Sequence, residues 1–412
     1  MSTVTLVLPT LHPAQRRILE RRERFAVIAS GRRFGKTTLA VDLAVRAGLA
    51  GDPVGWFAPT YHLLAEAWRE LKHRLGPVAA RVSEQEHRLE LVTGGVVECW
   101  SLDGPDPARG RRYARVVLDE ASIVRDLEPR FNEAIRPTLT DLAGDALILG
   151  TPKGMNGFWR LHQRGLAGEP DWSSHAGPTA DNPHIDPQEI ADARRDLPAQ
   201  AFAQEYEAAF VADGAVVLRG VAEAMTATPR DRRQDGHAYA FGVDWGQLGD
   251  FTVVSVLDVG ELAQVWADRF NQIDYHVQAG RLAILAERFR PTLIVAERNA
   301  IGLPLLEQLH RLNLPVWGWE ATNATVAAGV QSLALGLERR QLRLLPESHP
   351  VGRVQRDELL AYAARRTPTG LLAYGAPEGM HDDCVRALML SWLGALAPDG
   401  RPRSRDFRVE AG

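Results

Sequence analysis

Two groups of residues in this 412-residue chain have the types and spacing to do chemistry on phosphates. The first is Phe25 to Thr38, FAVIASGRRFGKTT, an apolar run that feeds a glycine-containing loop and then an apolar-periodic stretch, Thr38 to Ala44. Strand, loop and helix in that order predict a P-loop. Its backbone N–H groups and the helix N-terminus cradle phosphates, Lys36 reaches the outer ones, and the Thr37 hydroxyl takes magnesium. The loop residues in reach of a nucleotide are Ser30, Gly31, Arg32, Arg33, Gly35, Lys36, Thr37 and Thr38. Ser30 stands at the first glycine of the usual G-x-x-x-x-G-K-[ST] pattern, with Gly31 next door expected to supply backbone freedom. About 80 residues on, the run Arg115 to Leu118 ends in Asp119-Glu120. Asp119 is aimed at the same magnesium, and Glu120 is placed to polarise an attacking water. A further apolar strand, Leu147 to Leu149, ends at Thr151, which is placed either to sense the γ-phosphate or simply to close a turn.

The second group is acidic. Asp244 follows a strand-type run, Glu297 follows Thr292 to Ala296, and Asp382-Asp383 open the apolar-periodic stretch Cys384 to Leu396. Asp250 lies in the Gly-rich turn after Asp244. Converging carboxylates without a cysteine or histidine cluster suit Mg2+ or Mn2+, and a pair of such ions cleaves phosphodiesters. This is how an RNase H-like nuclease is built. The alternative for the Asp382-Asp383 pair is helix capping.

The elements that must position these groups follow from patterning. Leu11 to Leu19 reads as a short helix, and Gln15 on it stands where many P-loop translocases contact adenine; a surface glutamine fits the spacing equally. Val54 to Ala58 is a buried-type strand, Tyr61 to Leu75 a helix, and two alternating runs across Gly94-Gly95 a hairpin. The loop Gly104 to Tyr113, rich in Gly, Pro and Arg, carries Arg109. Pro178 to Phe210 is helical, broken at Leu197-Pro198. The expected division is an ATPase core over 1–177, a helical lid over 178–212, a linker over 213–236, a nuclease over 237–396 and a mobile tail over 397–412.

Composition sets bounds. The chain is 45% hydrophobic and 24% charged, ordinary for a globular protein. No apolar run approaches the roughly 20 residues that span a bilayer, and no secretion signal opens the chain, so a cytoplasmic protein without a membrane role is expected. Cys99 and Cys384 are too isolated for a zinc site or a disulfide framework. A net charge of −4 excludes a uniformly basic coat for nucleic acid, but arginines cluster locally, as at Arg109 to Arg115. Lysine is scarce, and Lys36 and Lys153 both fall in the motifs above.

Taken together, ASGRRFGKTT, RVVLDEAS, LILGTPKG, FGVDWGQLGDFT, IVAERNAIG and HDDCVRAL, in that order from about Leu11 to Leu396, resemble the large terminase subunit of tailed double-stranded DNA bacteriophages. The resemblance implies an α/β protein with an N-terminal additional-strand, RecA-like P-loop ATPase domain, a small helical lid and a C-terminal RNase H-like nuclease domain. It implies a motor that uses ATP and Mg2+ to drive double-stranded DNA into a procapsid, and a nuclease using Mg2+ or Mn2+ to cut the concatemer. The partners implied are the portal protein, a small terminase subunit and further copies in a ring, working in the host cytoplasm at the procapsid and absent from the mature virion. By matching motif, Lys36 and Thr37 bind phosphate and magnesium, Asp119 completes that site, Glu120 is the base and Thr151 couples. Asp244, Glu297 and Asp383 form the nuclease core, with Asp250 and Asp382 as helpers; which of Asp382 and Asp383 is the primary ligand stays open. Arg109 matches the position of an arginine that reaches a neighbour's ATP, with Arg32 and Arg33 as alternatives acting in cis. A helicase-like remodeller with a fused nuclease, or an integrase-like nuclease with a regulatory ATPase, are the competing readings.

Overall fold

The computed structural model describes residues 4–104, 108–212, 217–246, 251–271, 274–299, 302–366, 372–377 and 379–397. The chain divides into two compact units, Met1–Ala212 and Asp213–Gly412. Among the described residues no helix is long and apolar enough to cross a membrane.

The first unit is built on eight strands: β1 (Phe25–Ser30), β2 (Pro53–Ala58), β3 (Ala79–Ser83), β4 (Arg88–Leu91), β5 (Val96–Ser101), β6 (Arg115–Leu118), β7 (Asp145–Gly150) and β8 (Trp172–Gly177). They form one sheet in the order β3-β4-β5-β2-β6-β7-β1-β8. The six strands from β5 to β8 run parallel, while β3 and β4 turn antiparallel at one edge. The hairpin expected across Gly94-Gly95 is there, with Arg88 opposite Glu98. Parallel strands covered on both faces read as continuous apolar runs. Accordingly every residue of β1 is buried: Ile28 faces a core with Phe34, Leu39 and Val41, whereas Phe25, Val27 and Ala29 face one with Phe131, Phe158 and Trp172. The strand carrying Asp119, β6, is separated from the P-loop strand β1 by β7. That inserted strand is the additional-strand arrangement. It brings the C-terminal ends of three neighbouring strands, and with them the P-loop, Thr151 and Asp119, to one end of the sheet, where ligands of open α/β sheets bind.

The second unit holds β9 (Tyr239–Asp244), β10 (Thr252–Asp258), β11 (Ala263–Phe270), β12 (Leu293–Glu297) and β13 (Val316–Trp319) in the order β11-β10-β9-β12-β13. β10 is antiparallel to β9 and β11, and β12 and β13 run parallel to β9. This is the RNase H-like sheet. A separate hairpin joins β14 (Ala363–Arg366) to β15 (Leu372–Gly375). Helices Tyr275–Phe289 and Gly302–Arg311 cover one face of the sheet, and helices Asn323–Glu338 and Asp383–Leu396 the other.

The segment expected as a linker packs instead as part of this second unit. Leu218, Val221 and Ala224 are buried in a core with Leu337, Leu359 and Trp392. Arg230 Nη1 donates to Asp258 Oδ2 at 2.6 Å. Its apolar residues are too sparse for a periodic signal, because each one answers to a partner more than a hundred residues away. Of the tail expected over 397–412, residues 398–412 lie outside the described residues, as does Asp250.

Helix Asp383–Leu396 sits unusually close to the sheet. A Cβ at Gly242 would lie 2.1 Å from the Ala387 carbonyl oxygen and 2.2 Å from the Ser391 nitrogen, both backbone atoms with no side-chain freedom to yield. Ser255 Oγ and Ser391 Oγ share a hydrogen bond of 2.9 Å on the same interface. Gly242→Ala is therefore expected to lower the melting temperature of the second unit by an amount equivalent to about 1–3 kcal/mol or more. It should also suppress cleavage while ATP hydrolysis persists, and an unchanged melting curve would contradict this packing.

Candidate active sites

The first site begins at the loop that β1 feeds. Gly35 is the N-cap of helix Lys36–Leu49 with φ +95°, a left-handed conformation that favours glycine. A Cβ there would also meet Gln15 Nε2 at 2.5 Å. Gln15 is buried, donating from Nε2 to the Gly35 carbonyl at 2.8 Å and accepting at Oε1 from the His12 N–H at 2.9 Å. Its amide thus braces the loop from the preceding helix, where an adenine contact was expected. Gly31 differs from expectation too. It does not adopt positive φ, but a Cβ would strike Thr179 Oγ1 at 2.5 Å and the Tyr206 carbonyl at 2.6 Å, so what it supplies beside buried Ser30 is room. Arg33 is left-handed at φ 61°; Arg32, Arg33 and Thr38 are exposed and Thr37 is buried less deeply than Lys36 before it.

Lys36 is buried and donates to Thr151 Oγ1 at 2.9 Å, joining the loop to the end of β7. Burial pulls its pKa down, opposed by Glu120 and Asp119. Asp119 is pushed up to about 7 by its own burial and then by Glu120. Its Oδ1 accepts the Glu120 N–H at 3.0 Å, and Glu120 takes the left-handed conformation at φ 49°. A buried carboxyl raised in this way asks for a cation, which a metal ion accompanying a nucleotide would provide.

The segment read as a lid supplies residues that the motifs did not announce. Thr179 Oγ1 donates to the Arg32 carbonyl at 2.7 Å, and Asn182 Nδ2 to the Arg33 carbonyl at 2.6 Å. Glu205 pairs with Arg32 at 2.6 Å and with Lys153. Burial pushes the Glu205 carboxyl up, but Lys153 and Arg32 outweigh it and hold it below its ordinary value. Nothing local marks Glu205, which ends a short helix, Ala199–Glu205, far along the chain from the loop. Arg109 is exposed in a turn after buried Ala108. The turn is anchored behind it by Arg111, 3.4 Å from buried Glu98, and by the Tyr113 hydroxyl, which donates to Glu98 Oε2 at 2.7 Å.

In the second unit Asp244 and Glu297 end neighbouring parallel strands, with Val243 opposite Ala296. Asp382 stands at the N-cap position without a side-chain capping hydrogen bond, and Asp383 opens the helix lodged on Gly242. Glu358 accepts the Cys384 N–H at 2.8 Å and fixes that helix start. One guanidinium, Arg386, serves this group: it lies 3.4 Å from Asp382 Oδ1 and 3.5 Å from Glu297 Oε2, and Asp244 acts on it as well. Asp244 is buried and held well above the usual carboxylate range by burial, with Arg386 opposing and Glu297, Asp383 and Asp382 adding to it. Glu297 is raised as well, by burial and by Asp382 against Arg386. His381 Nδ1 is 3.6 Å from Asp383 Oδ2. The four carboxylates outnumber the guanidinium that serves them, and their all-oxygen chemistry suits a hard divalent ion. Among the described residues, no three of them have oxygens all within 4.8 Å of one another, so they would have to draw together to hold one. Arg386 was overlooked in the sequence, although its spacing of three and four from Asp383 and Asp382 puts it on their helix face.

An additional-strand P-loop fold with a paired Asp-Glu, followed by an RNase H-like fold with four gathered carboxylates, defines a nucleotide-hydrolysing motor joined to a nuclease. No protein-family model matches the chain. The large terminase subunit of Thermus virus P23-45 is 28% identical over 424 aligned residues, covering 91% of this chain and 85% of that protein. That of Thermus phage G20c is 29% identical, covering 79% and 68%. Among solved structures, the large terminase of a thermophilic bacteriophage matches 93% of this chain and 98% of its own at a TM-score of 0.54 and 12% identity, a likeness of fold. Over most of its length the chain is thus similar to large terminase subunits of bacteriophages.

Proposed function

We propose that this chain is an ATP-driven motor that moves double-stranded DNA into a procapsid and cuts the concatemer with its own metal-dependent endonuclease. The observation that carries the reading is the presence, in one chain, of a P-loop whose Lys36 lies in the field of Asp119 and Glu120 and of the carboxylate group at Asp244, Glu297, Asp382 and Asp383. Against the helicase reading, the second unit carries an RNase H-like sheet in place of a second RecA-like core; against the integrase reading, such a nuclease does not need a complete P-loop with its Asp-Glu pair.

In the first site ATP is the substrate. Loop amides and Lys36 would hold the phosphates, Lys36 exchanging Thr151 for the outer phosphate, and Thr37 and Asp119 would hold its Mg2+. Glu120 takes the proton of the attacking water. Thr151, released from Lys36, reports the change along β7. In the second site Asp244, Glu297 and Asp383 would hold Mg2+ or Mn2+, with Asp382 and Asp250 assisting; the excess of carboxylates over cationic side chains is in keeping with two ions. A divalent ion there supplies Lewis-acid charge to the scissile phosphate and a more acidic water. Asp244 and Glu297, fixed on adjacent strand ends, orient the group; Asp383, the more buried of the helix pair, acts on Asp244, while Asp382 pairs with Arg386. The motor works in the host cytoplasm, docked as a ring on the portal and supplied with DNA by a small terminase subunit.

Arg109 is the residue this reading assigns to a neighbouring subunit's ATP, a contribution worth about 10³ to 10⁵ in rate. Inactive Arg109→Ala subunits mixed with inactive Glu120→Gln subunits should recover part of the hydrolysis, because some interfaces then join an intact base to an intact arginine. Full activity of Arg109→Ala alone would return the role to Arg32 or Arg33. The function as a whole is tested by asking whether the purified chain hydrolyses ATP, nicks plasmid DNA with Mg2+ or Mn2+, and fills portal-bearing procapsids only when ATP is present. Nicking without any ATP-dependent uptake would leave a nuclease and remove the motor.

A further inference from the structure

Arg386 is held in an unusual way. The same unit contains another meeting of acids and arginine, where Arg230 reaches Asp258 at 2.6 Å and Glu261 at 2.5 Å, and Arg343 reaches Glu261 at 2.8 Å. Those are tight, directed pairs, and Asp258 and Glu261 both lie below their ordinary values, Asp258 with burial opposing and Glu261 with Arg230 foremost. Arg386 by contrast stands 3.4 and 3.5 Å from two carboxylates and within electrostatic reach of Asp244. Its side chain keeps 28% exposure, enough to turn outward. A guanidinium cannot lose its proton, so its charge is permanent. At 3.4 and 3.5 Å it satisfies these acids loosely and none of them fully.

Resting on the nuclease reading above, we propose that Arg386 is the built-in counter-cation of the carboxylate centre, holding it together before metal arrives and competing with the metal for it. The competition is electrostatic. A fixed positive charge a few ångströms from the ligands repels an incoming dication, so metal binds more weakly than the acids alone would allow, and Arg386 must withdraw from Glu297 and Asp382 for the ion to settle. Withdrawn, the guanidinium has a DNA phosphate as its natural partner. The centre would thus load metal fully only when DNA is there to receive Arg386, which limits cutting by a motor that must otherwise leave its DNA intact.

The test titrates Mn2+ into the nucleotide-free full chain by calorimetry, with Asp244→Asn as the blank that identifies heat from this centre. Arg386→Gln should bind Mn2+ about tenfold more tightly than wild type. It should also melt lower without metal and show a larger Mn2+-induced rise in melting temperature, while Arg386→Lys, which keeps the charge, should stay near wild type. Weaker or unchanged Mn2+ binding in a folded Arg386→Gln protein overturns the inference and leaves the metal centre standing. If Arg386→Gln does not fold, wild type is titrated with and without a short DNA duplex, each against its own Asp244→Asn blank. Tighter Mn2+ binding with the duplex upholds the competition, and binding equal or weaker overturns it. No Mn2+ heat from wild type above the Asp244→Asn blank removes the centre itself, and the inference with it.

Discussion

Asp244→Asn should abolish DNA cleavage and leave ATP turnover untouched. The carboxylate ends β9, is buried, and is raised by burial and by three acids that a divalent ion would neutralise. An amide in its place keeps the shape, removes the charge and eliminates an anionic ligand. The loss should exceed the roughly 100-fold cost of deleting a group that only supports a metal ligand. Because Asp244 belongs to the second compact unit and the P-loop to the first, ATP hydrolysis should proceed at the wild-type rate. Plasmid nicking with Mg2+ or Mn2+, measured beside phosphate release on the same preparation, reads both. Retained cleavage, or a parallel fall in ATPase activity, would contradict two independent centres.

The second large effect is expected at Glu120. In Glu120→Gln the loop amides, Lys36 and Thr37 are unchanged, so ATP should bind nearly as before, while removal of the base lowers turnover by about 10² to 10⁴. The substitution also removes a negative charge that helps keep Asp119 high and Lys36 charged. Asp119 should then titrate lower and hold magnesium more readily. Single-turnover hydrolysis and nucleotide affinity, measured separately, distinguish this from a folding defect; near wild-type turnover in assembled motors would exclude Glu120 as the base.

Much of this architecture was legible because the chemistry is tied to strand ends. Lys36, Asp119, Thr151, Asp244 and Glu297 each follow an apolar run that only a buried strand explains, and the fold brings each set to one end of its sheet. What sequence could not carry was contact made across long separations by residues in unremarkable settings. Glu205 meets Arg32 and Lys153 from the end of a short helix, and Gln15, whose spacing fitted a surface position as well as an adenine contact, is buried and holds Gly35. Leu218 and Val221 look like spacer until the core that buries them is assembled. Gly31 and Gly242 have the converse character: the sequence displays them, but only the atoms that a Cβ would strike explain them.

The seating of helix Asp383–Leu396 on Gly242 has a consequence for how such a protein can change over time. At Gly242 the spacing between the acids on the helix and those on the strands rests on main chain against main chain, with no side chain between them there. Core positions outside that contact, such as Leu333 and Leu337, can then exchange among apolar residues at a cost in melting temperature with less effect on the catalytic spacing. A lineage could exchange most of its core and retain its cutting geometry, provided that one position never gains a carbon.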